Sequence, residues 1–175
     1  MPPSQDSAAP GQPGAGALVL FALGDTACAL PRESVCALLP LPRLDAPPGL
    51  PAPLAGFLNL GGAAVPVLDL ARLLGLEPGE PHPYRHLILL DRPGGPLALL
   101  VDRVSEVLPA GLPLRAVAGK ASLGGVVTGM VEAEGRPVHR LDPDRLLLAQ
   151  ESAILDALTR QAGERLLRWG AGDGP

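Results

Sequence analysis

Aromatic side chains are nearly absent from this chain: 175 residues include two Phe, one Tyr and one Trp, 2% in all. Any interior must therefore be filled by Leu, Val and Ala. Each fully buried aliphatic side chain contributes roughly 1.5–3 kcal/mol, so a dense aliphatic core suffices. A basic stripe is also missing. With 14 Lys and Arg against 18 Asp and Glu the net charge is −4, which argues against nucleic acid as a partner, because phosphate binding needs clustered cations. Cysteine is limited to Cys28 and Cys36, both within apolar runs and read as buried free thiols rather than a disulfide. No run approaches the ~18 apolar residues of a membrane span, and the first residues lack the basic and apolar segments of a signal peptide. The expectation is a soluble, cytoplasmic protein without membrane insertion.

Catalytic signatures are missing as well. His82, His86 and His139 are the only histidines, and HExxH, paired CxxC, GxSxG and GxxxxGK[ST] do not occur. Ser34, Ser105 and Ser122 have no histidine at a recognisable spacing. No catalytic residue, metal or cofactor is assigned, and the chain is not expected to be an enzyme. A small-ligand binder or enzyme on a β-barrel, with His139 and carboxylates around a metal, is the alternative of a different class.

What the chain does have is 22 Gly and 22 Pro, which punctuate short apolar runs. LVLFAL and TACALP flank Gly24-Asp25. GFLNL and AAVPVLDL flank Gly61-Gly62. HLILL and PLALLVD surround Pro93-Gly94-Gly95, and GMVEA and RPVHRLD surround Glu134-Gly135. Each reads as a β-hairpin, and four hairpins define an all-β domain.

The hairpins repeat. GFLNLGGAAVPVLDLARLLG aligns without a gap on GMVEAEGRPVHRLDPDRLLL, pairing Gly56 with Gly129, Val65 with Val138 and Asp69 with Asp142 at an offset of 129 − 56 = 73. A second block aligns Leu30 with Val101, Val35 with Val104, and Leu38-Leu39-Pro40 with Val107-Leu108-Pro109, the last at 109 − 40 = 69. The chain thus reads as an internal duplication with halves at about 17–76 and 86–149, joined by an exposed connection at 77–85. A unit of ~65 residues is marginal alone, so the two should bury apolar faces together. Asp69 and Asp142 each end a strand before a short apolar helix and are read as structural N-caps, with Pro143 suited to the first helical position. Residues 1–16 read as a disordered tail and 170–175 as a flexible end. Residues 150–169 carry Leu155, Leu158, Ala162, Leu166 and Trp169 on one face of an amphipathic helix, docked on its own barrel or free for a partner.

These residues resemble a family. The stretch Asn59-Leu60-Gly61-Gly62-Ala63-Ala64-Val65-Pro66-Val67-Leu68-Asp69-Leu70 is similar to the signature N-L-R-G-x-x-V-P-V-[IVL]-D-L of the CheW-like domain of bacterial chemotaxis. The run Val101-Asp102-Arg103-Val104-Ser105-Glu106-Val107-Leu108 fits it too, and the likeness extends from about Leu18 to Leu148, over the domain expected at 17–149. The resemblance implies two small five-stranded β-barrels related by approximate two-fold symmetry, with short helices and a C-terminal amphipathic helix. It implies a non-catalytic scaffold or adaptor, cytoplasmic at receptor arrays on the inner face of the membrane. Its partners would be a CheA-type histidine kinase, held at one barrel end, and the cytoplasmic tip of a methyl-accepting chemoreceptor, held in a groove between the barrels. The partner-binding residues carried over are Val35, Ala37, Asn59, Leu60, Gly61 and Gly62. Two positions depart from the family pattern: its Arg is Gly61 and its Glu is Ala37. Losing both strands neither charge, but it opens a second reading, a divergent member that has lost the receptor contact and binds only a kinase or another partner. Whether strands are exchanged between the barrels is left open at this level.

Overall fold

The computed structural model describes residues 15–77, 83–117 and 119–170. The expected tail before residue 15, His82 with most of the expected connection, and residues 171–175 lie outside the described residues. The first half contributes β1 (Leu18–Leu23), β2 (Thr26–Pro31), β3 (Val35–Pro40), β4 (Leu54–Leu60), β5 (Ala63–Asp69) and the one-turn helix α1 (Leu70–Leu73). The second contributes β6 (His86–Leu90), β7 (Leu97–Val101), β8 (Arg103–Leu108), β9 (Val127–Ala133) and β10 (Arg136–Leu141), and the 22-residue α2 (Ala149–Gly170) follows. Where α1 has its counterpart, Pro143–Arg145 form only a 3-10 turn. The packed chain begins slightly before the expected tail boundary: Ala15 is buried, donates to Leu112 O at 3.3 Å and accepts from Gly111 N at 2.6 Å.

The four hairpins form as their turn residues require. The strands β3 and β8, which lie outside the four hairpins, complete the topology. One sheet has the order β8-β1-β2-β10-β9 and the other β3-β6-β7-β5-β4. Replacing each strand by its counterpart in the other half converts one order into the other. Neither sheet belongs to one half: each takes one hairpin from the first half and one from the second, joined by a short parallel contact, β2 to β10 in one and β5 to β7 in the other. Among the described residues no ladder closes either sheet, so each is a curled five-stranded sheet open along one seam.

The symmetry extends to register. Arg140 lies opposite Ala29, and Val67 opposite Ala98. With 140 − 67 = 73 in the repeat, this fixes 98 − 29 = 69 and pairs Leu30 with Leu99, correcting the alignment of Leu30 with Val101. The bulges recur as well. Cys36 and Ser105 are the extra residues in β3 and β8 (105 − 36 = 69), and Ala55 and Thr128 those in β4 and β9 (128 − 55 = 73). Bulges sharpen local twist and let a short sheet curl. The change of offset from 69 to 73 is taken up between β8 and β9, where the chain runs four residues further and includes a 3-10 turn at Gly119–Ser122.

Side chains alternate between cores. In β7, Leu97, Leu99 and Val101 face a central core shared by the two sheets, while Ala98 and Leu100 face the interior of their own sheet with Leu58, Val65, Val67 and Leu87. The other sheet has a matching interior of Leu18, Ala29, Leu108, Val131 and Val138. A strand buried on both faces must read as an unbroken apolar run, which explains LALLV. The paired glycines of the repeat mark a close approach. Residue Asp45 bridges Phe57, and Arg115 bridges Met130, so a second segment crosses each hairpin. A Cβ on Gly56 would lie 2.8 Å from Asp45 O, and one on Gly129 would lie 3.1 Å from Arg115 O.

Val67 is fully buried and Leu58 is 7% exposed, so Val67→Asp or Leu58→Lys is expected to lower stability by about 3 kcal/mol or more, read as a chemical-denaturation midpoint. An unchanged melting temperature would place these side chains outside the core. Gly56→Ala, at φ +152° and against backbone, should cost about 2–3 kcal/mol. Gly61→Ala, in open space at φ +59°, should cost only about 1 kcal/mol.

Candidate functional site

The signature residues divide sharply by exposure. From Val65 to Leu68 every residue is buried, whereas Asn59 to Ala63 are all exposed. The exposed stretch is the tip of the β4–β5 hairpin. Gly61 and Gly62 take φ +59° and +91°, the two positive values of a tight turn that suits the right-handed twist of its strands. Asn59 Oδ1 accepts from Gly62 N at 2.9 Å and braces the turn. Leu60 is 40% exposed, an apolar side chain held out at the tip.

The other expected contact residues lie on β3. Val35 is buried in the central core, so its side chain anchors the strand and does not face outward. Ala37 is half-buried, between the exposed Cys36 and the 44%-exposed Leu38. β3 and β4 are opposite edges of their sheet, and a Cβ on Gly61 would meet nothing within 4 Å. With Ala37 and Gly61 standing where the family has Glu and Arg, neither position carries a charge. Their repeat counterparts are Glu106 (37 + 69) and Glu134 (61 + 73), the latter at φ +52°. The turn thus accommodates a non-glycine residue at the position equivalent to Gly61.

Cys28 is buried, but Cys36 is exposed, correcting the expectation of two buried thiols. The bulge at Cys36 turns it out of the core. Burial pushes the Cys28 thiol up from 9.0 to about 12, because the thiolate would lose its hydration.

Asp69 and Asp142 are held by local partners. Asp69 Oδ1 accepts from Arg72 N at 3.3 Å and Asp142 Oδ1 from Asp144 N at 2.9 Å. Arg72 and Arg145, themselves repeat counterparts, lie 3.8 and 3.4 Å from the same two carboxylates. Asp69 also faces Arg85 at 3.5 Å, and Arg85 reaches Asp102 at 3.5 Å. Asp102 Oδ2 accepts from Gly24 N at 2.6 Å, while Asp102 N donates to Ala22 O at 3.1 Å. This clasp ties the β1–β2 turn of one sheet to the ends of β5 and β7 in the other. Sequence reading missed it: Arg85 was placed in an exposed connection, and no local pattern marks a residue whose partners lie 16 and 17 positions away. At the position related by the repeat, a groove of about 750 Å³ lies between the sheets, lined by Glu33, Asp91, Arg92, Arg140 and Asp144 among others.

The groups weighed for chemistry are otherwise engaged. Ser34, Ser105 and Ser122 donate to Pro31 O, Leu20 O and Gly119 O. His139 Nδ1 lies 3.2 Å from Ala27 O, and His86, the first residue of β6, has Nδ1 3.5 Å from Val104 N. Among the described residues no group of three His, Cys, Asp or Glu is arranged to hold a metal ion, and no helix is long and apolar enough to cross a membrane.

Two curled five-stranded sheets exchanged between sequence halves, with a terminal helix packed on one of them, define a duplicated, SH3-like β fold. The CheW-like domain family matches residues 17–151, and the chain belongs to that family. A probable chemotaxis protein CheW from Rhizobium etli is 34% identical over 91 residues, 52% of this chain and 59% of that protein. A chemotaxis protein CheW from Rhizobium meliloti is 39% identical over 62 residues, 35% of this chain and 39% of that protein. The matched region thus spans well under two thirds of either relative's length. The crystal structure of the scaffolding protein TtCheW from Thermoanaerobacter tengcongensis has the same fold, with a TM-score of 0.69 at 20% identity over 82% of this chain and 94% of that one.

A thiol reagent at pH 8 is expected to modify one cysteine per folded chain, Cys36, and the second only on unfolding. Above pH 9 the unfolded Cys28 thiol ionises while the folded one keeps its proton to about pH 12, so its contribution to stability falls as pH rises through that window. Cys28→Ala should flatten the decline between pH 9 and 11 in denaturation curves. An identical decline in the variant would show that Cys28 does not cause it.

Proposed function

We propose that the chain is a non-catalytic adaptor coupling chemoreceptors to a CheA-type histidine kinase, in bacterial chemotaxis or a related signalling pathway. Membership of the CheW-like family supports this reading, and the observation that carries it is the exposed tip Asn59 to Ala63. Asn59, Gly61 and Gly62 shape the turn, but the apolar Leu60 of the signature is held out at its tip, and a protein partner gives it a role. The groove between the sheets, with the hairpin tip and β3 edge, offers a place for a helical receptor tip, which leaves the end of one sheet as a separate face for a kinase domain. In this role the protein works in the cytoplasm, at receptor arrays on the inner face of the membrane.

The absence of both charges, Ala37 for Glu and Gly61 for Arg, favours a second reading. A member without the Arg and Glu of the family lacks a pair of charges on its partner face, and would engage the kinase while leaving the receptor unbound. Co-sedimentation of the purified chain with its organism's CheA-type kinase and a chemoreceptor cytoplasmic tip separates the two. Capture of both supports the coupling role, and capture of the kinase alone supports the divergent one. Binding to neither would refute both.

Ala37→Glu combined with Gly61→Arg is expected to stay soluble and within about 2 kcal/mol of the parent, since position 61 costs one residue in a left-handed turn and Glu134 already bears it. If the divergent reading holds, the double variant should gain receptor-tip binding without a change in kinase binding. Aggregation of the double variant would show that these positions are not surface.

A further inference from the structure

The helix α2 leaves apolar surface unmatched at both ends. Its middle is docked: Leu155 and Ala162 are buried in the central core, Asp156 pairs with Arg92 at 2.8 Å, and Arg165 lies 3.7 Å from Asp45. Near its start, an apolar groove of about 190 Å³ runs beside the helix, lined by Pro51, Pro53, Leu73, Leu147, Ile154 and Leu158 among others. Ile154 on its rim is 55% exposed. Towards its end the helix outruns the body it rests on: Leu166 is half-buried and Trp169, the single tryptophan, is 78% exposed.

We propose that α2 pairs antiparallel with α2 of a second copy of this chain, each Trp169 seating in the other copy's groove beside Ile154. The geometry is self-complementary. Residues 154 and 169 are 15 positions apart, which at 100° per residue places them about 60° apart on one flank and roughly 22 Å apart along the axis. A two-fold axis midway between them, beside the exposed Gln161, brings each knob to the other copy's groove in one closed, isologous contact. Charge favours the same direction. With Asp156 and Arg165 already paired, this flank keeps Glu151 in the first half of the helix and Arg168 in the second, so opposite charges meet when the helices run antiparallel. This association is independent of the coupling role, and either can fail alone.

The full-length chain should be taken through a dilution series by sedimentation velocity with tryptophan emission recorded on the same samples. A reversible monomer–dimer equilibrium is expected, with emission moving to shorter wavelength as the dimer forms. Trp169→Ala should weaken the dimer by about tenfold or more, leaving circular dichroism and melting unchanged. Ile154→Asp should do the same from the groove side, with Trp169 emission that no longer depends on concentration. A monomeric mass up to about 1 mM would overturn the proposal. So would a dimer indifferent to both substitutions, or an emission shift seen only on adding kinase or receptor fragment, which would assign the surface to that partner.

Discussion

Two short parallel contacts, β2 beside β10 and β5 beside β7, hold this molecule together. Each joins a hairpin from the first half of the chain to one from the second, and all else in the fold follows from them. Because both sheets borrow from both halves, neither half has a complete sheet, and neither has a closed interior. The exchange also explains how a chain with so few aromatic residues makes a core. The sheets present apolar side chains on both faces, one to their own curled interior and one to the central core between them. A unit of ~65 residues, too small to bury enough surface alone, becomes half of a three-core assembly.

The duplication preserves what constrains backbone geometry and relaxes what does not. Bulges, the close-approach glycines, the capping carboxylates with their arginines and the strand registers all recur. Departures from symmetry lie on the outside. The clasp of Arg85, Asp69, Asp102 and Gly24 seals one junction between the sheets, while the related junction is an open, charged groove. Helix α2 covers β5, and among the described residues no helix packs comparably on its counterpart β10. A symmetric frame with unlike surfaces can hold unlike partners at fixed positions, which is what an adaptor requires.

The legibility of this fold in its sequence tracks how local each feature is. The hairpins were legible because two-residue turns rich in Gly impose a backbone conformation that few other sequences allow. The strands β3 and β8 were not: they follow a 3-10 turn or a single linking residue, carry an extra bulged residue that breaks the alternation, and find their partners in hairpins distant along the chain. The same bulge put Cys36 outside despite its apolar neighbours. Leu30 was matched to the wrong residue because in a Leu-rich chain several registers look alike, and only hydrogen bonding between strands chooses one. At the candidate site, Asn59, Leu60, Gly61 and Gly62 were identifiable from the signature, whereas the inward turn of Val35 depends on how β3 pairs around its bulge.

By itself the sequence determined an all-β duplicated chain with four hairpins, capped turns, a terminal amphipathic helix and the family to which it belongs. The structural features are statements about turn chemistry, periodicity and repeated spacing, and the family rests on the likeness of Asn59–Leu70 and Val101–Leu108 to its pattern. Only the tertiary structure decided that the halves interlock, that a salt-bridge clasp closes one junction and leaves the other open, and that the helix overhangs its support. Strand exchange and inter-sheet contact arise between residues with no adjacency in the chain, and their energy comes from surfaces that exist only once both sheets have formed.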